Sequence, residues 1–193
     1  MSVSMDELVA EASFLEDAVL QFRKYRRLAE GALAQVADAD LFRTLDADAD
    51  SNSIAIVMKH MSGNMRSRWR DFLTTDGEKP DRARDTEFEL DPADTRAALT
   101  ARWDEGWQAL FAALDDLAPD LLLATVTIRG EPHTVLQAIN RQLTHYAYHV
   151  GQIVFLARHF AGARWTSLSI PKGKSKEFDV ARNGSPYGLG GKA

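Results

Sequence analysis

The sequence predicts an all-α fold: a single four-helix bundle over residues 1–162 and a long irregular basic tail over 163–193. Three observations predict it. Apolar residues recur at steps of three and four over four separate stretches, each several turns long. Serine, asparagine, proline and glycine punctuate the ends of those stretches. Strand-like sequence is confined to one short run, and an isolated strand cannot hold a core by itself. Four amphipathic helices with little strand bury their apolar stripes most simply against one another.

The first helix is expected over about residues 5–35, where Leu8, Ala12, Leu15, Val19, Phe22, Tyr25 and Leu28 form the stripe. Ala37 to Asp50 reads as a solvated connection; Asp46, Asp48 and Asp50 alternate there, but the Gly and terminal Glu of a calcium loop are missing. Ser51-Asn52-Ser53 supplies N-cap residues for a second helix, running to about Leu73 through Ile56, Val57, Met61, Met65, Trp69 and Phe72. The polar segment Thr74 to Asp91 is long for a bundle connection and is therefore expected to be functional or mobile. A third helix is expected from Asp91-Pro92, with proline at its first position and Leu99, Trp103, Trp107 (or Gly106), Leu110 and Leu114 as core. Thr125-Val126-Thr127-Ile128 reads as a short extended stretch or hairpin, broken by Gly130. A fourth helix is expected from Glu131-Pro132-His133-Thr134 to about Phe160, ended by Gly162.

Composition narrows the function. The 193 residues are 45% hydrophobic and 26% charged, enough for one sizeable core. Lys and Arg number 23 against 28 Asp and Glu, a net charge of −5, which argues against nucleic acid as a partner. There is no cysteine, so disulfides, zinc fingers, iron–sulfur clusters and a cysteine nucleophile are excluded. A metal site would have to draw on His, Asp or Glu. Neither a signal-peptide pattern nor an apolar run of membrane-spanning length is visible, so the expected setting is the cytoplasm, with no membrane partner. Charge is uneven: residues 71–96 hold nine acids and four bases, residues 163–193 six bases and two acids. The tail is expected to dock on or near that acidic segment, within one chain or across a dimer.

The five histidines carry the chemistry. His145 and His149 are four apart on the fourth helix, so they share a face with Cβ atoms about 6 Å apart. Two imidazole nitrogens can then converge on one ion at about 2.1 Å. The same face carries Ala138, Gln142, Gln152 and Ile153, not charge. A third ligand should come from another helix, and His60, amid Ile56, Val57, Met61 and Asn64, fits. His133 and His159 lie about 18 Å and 15 Å along the helix from the pair, too far to join it. His133 reads as a first-turn residue, and His159 as a charge suited to the helix C-terminus. Three neutral nitrogen ligands with an open position describe a catalytic metal site. Zinc is the first choice, nickel or iron the next. Asn64 and Gln152, each one turn from a ligand, are positioned to hydrogen-bond an imidazole or a bound molecule, or else are buried amides satisfied by backbone. Tyr146 and Tyr148 point to different faces, so at most one approaches the site. Arg84, Asp85, Lys172 and Lys174 are either pocket caps or solvated charges.

Other motifs fail. Gly173-Lys174-Ser175 ends like a P-loop, but Leu168 stands where the first glycine is required. Neither a Gly-x-Ser-x-Gly elbow nor a His-Glu-x-x-His pair is present.

Lys59-His60-Met61-Ser62-Gly63-Asn64 and His145-Tyr-Ala-Tyr-His149-Val-Gly151-Gln152-Ile153 resemble the corresponding segments of the DinB/YfiT-like metalloenzyme superfamily. The stretches 68–80, 84–88 and 169–175 look like one bacterial subfamily of unassigned function. The resemblance covers essentially the whole chain. It implies an up-down-down-up bundle, a homodimer, and a divalent metal on His60, His145 and His149. It also implies a small-molecule substrate and activity such as that of thiol-dependent S-transferases or a mycothiol-dependent isomerase, with a low-molecular-weight thiol as cosubstrate. Three rivals stand beside it: metal-dependent hydrolysis of a small amide or ester, a non-enzymatic, stress-linked metal-binding bundle, and a bundle whose histidines are vestigial and bind no metal.

Overall fold

A computed structural model describes residues 5–46 and 51–178, with side chains from residue 9 onward. The described chain is mostly helical. Helix α1 spans Met5–Leu33, α2 Ile54–Trp69, α3 Arg96–Asp115 and α4 Val135–Ala161. A two-stranded antiparallel sheet, β1 (Thr125–Ile128) and β2 (Glu131–Thr134), precedes α4. Helix α2 packs along α3, α1 along α4, and α2 also meets α4. Among the described residues no helix is long and apolar enough to cross a membrane.

The caps explain the helix starts. The Ser53 hydroxyl accepts the Ile56 amide at 3.3 Å, as its position in the sequence predicts. Helix α3 begins later than the Asp91-Pro92 signal predicts, because Asp94 is turned inward. Its carboxylate accepts from Lys59 Nζ and Arg102 Nη1, each at 2.7 Å, so Thr95 becomes the cap, accepting the Ala98 amide at 3.2 Å. Helix α4 also starts later. Glu131 to Thr134, expected as its first turn, pair with β1 in the register Thr125↔Thr134 and Ile128↔Glu131. His133 therefore lies in a strand. Thr134 and Gln137 then form a reciprocal capping box. Helix α2 ends at Trp69 rather than near Leu73, where Asp71 takes a positive φ of 48°. Gly162, at φ 57°, closes α4 as expected.

The hairpin turn is Arg129-Gly130, with φ of 57° and 75°. This two-residue geometry suits the twist of paired strands, but only glycine adopts it without strain. Asp76 holds it: one carboxylate oxygen accepts the amides of Glu78 (2.6 Å) and Arg129 (2.8 Å), the other the amide of Gly130 (2.7 Å). The Gly77 amide donates to Thr127 O at 2.8 Å. The polar segment after α2 is thereby tied to the hairpin.

The core gathers one ring from each helix. Phe22 of α1 lies 5.9 Å from Trp69 of α2 and 5.8 Å from Tyr146 of α4, and Trp107 of α3 lies 6.0 Å from Tyr146. Such edge and tilted contacts add to the area these rings bury. Leu99, Trp103, Gly106, Leu110 and Leu114 are also buried, as the third stripe predicts.

Among the described residues, the start of the tail meets α1 and the segment just after it. Gln35 exchanges hydrogen bonds with Thr166, Leu168 packs against Gly31, and Lys174 pairs with Glu177 of the tail itself. The acidic segment is already neutralised by its neighbours: Asp81 by Arg66 and Arg70, Glu78 by Arg68, Asp94 by Lys59 and Arg102. Asp48, Asp50 and residues 179–193 lie outside the described residues.

Partial burial works against ionisation of Asp76, but its three amide donors outweigh it and hold the carboxyl down to about 2. A carboxyl lowered on folding stabilises the fold above its unfolded pKa of about 4, and the contribution is lost as pH falls towards about 2. Asp76→Asn is expected to lower the urea midpoint at pH 7 and to flatten the loss of stability between about pH 4 and pH 2. Identical acid limbs in the two proteins would show that Asp76 does not hold the hairpin.

Candidate metal centre

Tyr146 sets the rotation of α4. It is fully buried; its hydroxyl accepts from Trp69 Nε1 at 3.1 Å and donates to Asn64 Oδ1 at 2.9 Å, both on α2. Burial pushes this hydroxyl's pKa up, so it stays a donor at any physiological pH. With Tyr146 fixed inward, the adjacent His145 is aimed along the α2–α4 seam, and His149 follows one turn later.

The three histidines meet there. His145 Nε2 stands 3.0 Å from His149 Nε2 and 3.4 Å from His60 Nε2. The candidate ligand atoms of all three lie within 4.8 Å of one another. Two nitrogens each about 2.1 Å from one ion stand about 3.0 Å apart at a right angle and about 3.4 Å at a tetrahedral angle. The observed spacings are those values, so the donor set fits a single divalent ion.

Protonation agrees. Burial first, and then the neighbouring His149 and His60 rings, push His145 down to about 3. Burial also lowers His149, against the opposing hydrogen bond of Gln152. Both rings are therefore neutral at pH 7, the form in which imidazole ligates. On the far side of His60, Nδ1 faces Glu87 Oε2 at 2.9 Å. An ionised carboxylate can only accept, so Nδ1 carries a proton and Nε2 is the nitrogen that faces the cluster. His149 Nδ1 lies 2.8 Å from Gln152 Oε1, and Gln152 Nε2 donates to Tyr148 OH at 3.1 Å, which fixes His149 in the same tautomer.

Glu87 is the residue that sequence reasoning missed. It lies on the short 3-10 turn Asp85–Phe88 and is buried. Burial opposes its ionisation, but hydrogen bonds from His60 and Arg82 outweigh it and hold the carboxyl below its usual range. Arg82 grips it with two bonds of 2.8 Å, Nε to Oε1 and Nη2 to Oε2. Arg82 also reaches Glu78, which in turn accepts from Arg68 at 2.9 Å and Arg129 at 3.2 Å. Phe88 covers the His60 ring at 4.8 Å between centroids. The polar segment thus packs directly against the histidine cluster. Glu87 follows His60 by 27 residues, a separation that carries no periodic signal.

The expected neighbours divide. Gln152 contacts a histidine directly; Asn64 contacts Tyr146 and lines the adjoining cleft. Tyr148 is exposed and reaches the site through Gln152. Arg84 lines the cleft, whereas Asp85, Lys172 and Lys174 are solvated. His133 is occupied by Glu131 O and Arg141. Arg82, Arg129 and Arg141 also line the cleft, and their sequence positions gave no sign of it.

A family model, "Protein of unknown function (DUF1572)", matches residues 9–174. The chain belongs to the DUF1572 family. The match includes all three histidines, Glu87 and Gln152. No curated protein and no solved structure matches the chain.

Gly63 makes room for Glu87. A Cβ there would stand 2.1 Å from Glu87 Oε1, whereas a Cβ at Gly151 on exposed α4 surface would meet nothing within 4 Å. Gly63→Ala is expected to destabilise by about 1–3 kcal/mol, because the buried carboxylate must move. Gly151→Ala is expected to stabilise by about 0.5–1 kcal/mol through helix propensity alone. Urea denaturation of the two variants checks both signs.

Proposed function

We propose that this DUF1572 chain is a divalent-metal-dependent enzyme of the DinB/YfiT-like type, with His60, His145 and His149 as ligands in an up-down-down-up four-helix bundle. In this proposal it acts as a cytoplasmic homodimer and transfers a low-molecular-weight thiol to an electrophilic small molecule. The single observation that carries the metal assignment is the convergence of the three histidines, with His145 Nε2 at ligand-to-ligand spacing from the Nε2 atoms of both His149 and His60. The Nδ1 atoms of His60 and His149 are taken up by Glu87 and Gln152, which leaves both Nε2 atoms directed at His145 Nε2.

A divalent ion held there, zinc before nickel or iron, supplies Lewis-acid activation of a thiol or a water. The protein's own groups prepare that role. Glu87 and Gln152 fix the tautomers and orientations of His60 and His149, an arrangement typical of metal-ligating histidines. Tyr146 and Asn64 hold α4 against α2. His60 and His145 also line an open cleft of about 440 Å³, which supports an accessible, reactive site over a closed structural one. The absence of cysteine is compatible with thiol transfer, because the thiol would come from the cosubstrate.

Metal analysis of the purified protein is expected to give one divalent ion per chain, and His145→Ala/His149→Ala to remove it. Equal metal content in the two would overturn the ligand assignment. Glu87→Gln is expected to weaken metal affinity about 10–100-fold with the ligands intact. Metal-dependent consumption of a small thiol against model electrophiles is the expected activity. Hydrolysis of model esters or amides without thiol consumption would instead identify a hydrolase. Metal loading with neither activity would favour the non-enzymatic bundle.

A further inference from the structure

The cleft beside the histidines has an unusual wall. Five of its eleven lining residues are arginine (Arg68, Arg82, Arg84, Arg129 and Arg141), and none is acidic. Glu78, Glu87, Asp85 and Glu131 pair with these arginines from behind or beside the wall, so the guanidinium groups, not carboxylates, face the cleft on a chain whose net charge is −5. Field lines focus in such a concavity and draw in ligands of opposite sign.

The five arginines differ in what they have left to offer. Arg82 is committed to Glu87. Arg68 is held by Glu78 and Gly77 O, yet its Nε is buried without a partner. Arg84, Arg129 and Arg141 stand at the mouth with side chains 46%, 53% and 47% exposed. They arrive from three separate segments: the polar segment, the hairpin tip and α4. Each has a partner that is solvated or shared: Arg141 Nη1 meets His133 Nε2 at 3.2 Å, and Arg84 lies over the Phe88 ring. Asp85 lies 3.6 Å from Arg84 and Glu131 3.9 Å from Arg141, both beyond hydrogen-bonding distance and both well solvated. Glu78, the partner of Arg129, is shared with Arg68 and Arg82. Arg129 also occupies a left-handed position, φ 57°, that a glycine or asparagine would fill with less strain. Strain of this kind gathers at ligand-binding sites.

We propose that this cleft binds a small polyanion, a ligand with two or more carboxylate or phosphate groups, whose charged end is held by Arg84, Arg129 and Arg141. Guanidinium forks suit both oxyanions, which they can bind through paired N–H donors. The volume admits a metabolite-sized molecule and not a polymer. That the ligand's other end reaches His60 and His145 rests on the metal-site proposal; the anion subsite does not.

Calorimetric titration of the full-length protein as purified, at low ionic strength, tests this with tricarballylate, inorganic phosphate and acetate as probes. Tricarballylate or phosphate is expected to bind at least 10-fold more tightly than acetate. Whichever of the two binds more tightly distinguishes a carboxylate-bearing from a phosphate-bearing ligand. Arg129→Gln and Arg141→Gln are each expected to weaken that binding about 10-fold, with metal content unchanged. Arg158→Gln, on exposed α4 surface outside the cleft, should leave it unchanged. His145→Ala is expected to retain the anion while losing metal, so failure of the metal-site proposal reads differently from failure of this one. Absence of polyanion binding, or equal losses in the Arg129, Arg141 and Arg158 variants, would overturn the proposal.

Discussion

The candidate centre depends on the hydrogen-bonded junction of Tyr146 with Trp69 and Asn64. A helix rotates about 100° per residue, so a slip of one position on α4 would carry His145 and His149 away from His60. The junction forbids the slip: displacing Tyr146 would leave the Asn64 acceptor and the Trp69 donor buried and unpaired, which costs more than the bonds themselves contribute. The rings of Phe22 and Trp107 close around the same tyrosine, so all four helices meet at the residue next to His145. Core packing and site geometry are one constraint here.

A second constraint is electrostatic. Glu87, Arg82, Glu78 and Arg68 form a largely buried alternation of charge that runs from His60 towards the hairpin. Buried ion pairs add little net stability, because desolvation offsets their attraction, but removing one partner is costly. Such a chain therefore specifies position more than it stabilises. It brings the polar segment over α2, fixes the tautomer of His60, and delivers Arg84 and Arg129 to the mouth of the cleft. Gly63 belongs to the same device, since its missing side chain is the space that the Glu87 carboxylate fills.

The two constraints produce opposite electrical environments side by side. His145 and His149 are neutral imidazoles, because burial and the neighbouring rings disfavour their charged forms. The adjoining wall is lined by guanidinium groups. A neutral donor set beside a guanidinium-lined wall suits a ligand with a reactive head and a charged tail.

By itself the sequence determined the helical character, four helical stretches, the cap at Ser53, the stop at Gly162 and the grouping of His145 with His149, because each follows from local periodicity or from one residue's backbone preference. It also pointed to His60, since a histidine on a helix's apolar face needs a partner. It misplaced the starts of α3 and α4, where tertiary demands outweighed local signals: Asp94 was drawn inward by Lys59 and Arg102, and His133 was claimed by strand pairing. Only the tertiary structure decided that Glu87 orients His60, that Asn64 serves Tyr146, and that arginines from three separate segments share one cleft. Those relations join residues distant in the chain, and Glu87 and Arg84 reach theirs from an irregular segment. No helix or strand period runs through such a segment, so its side chains find their partners only when the packed helices set the distances.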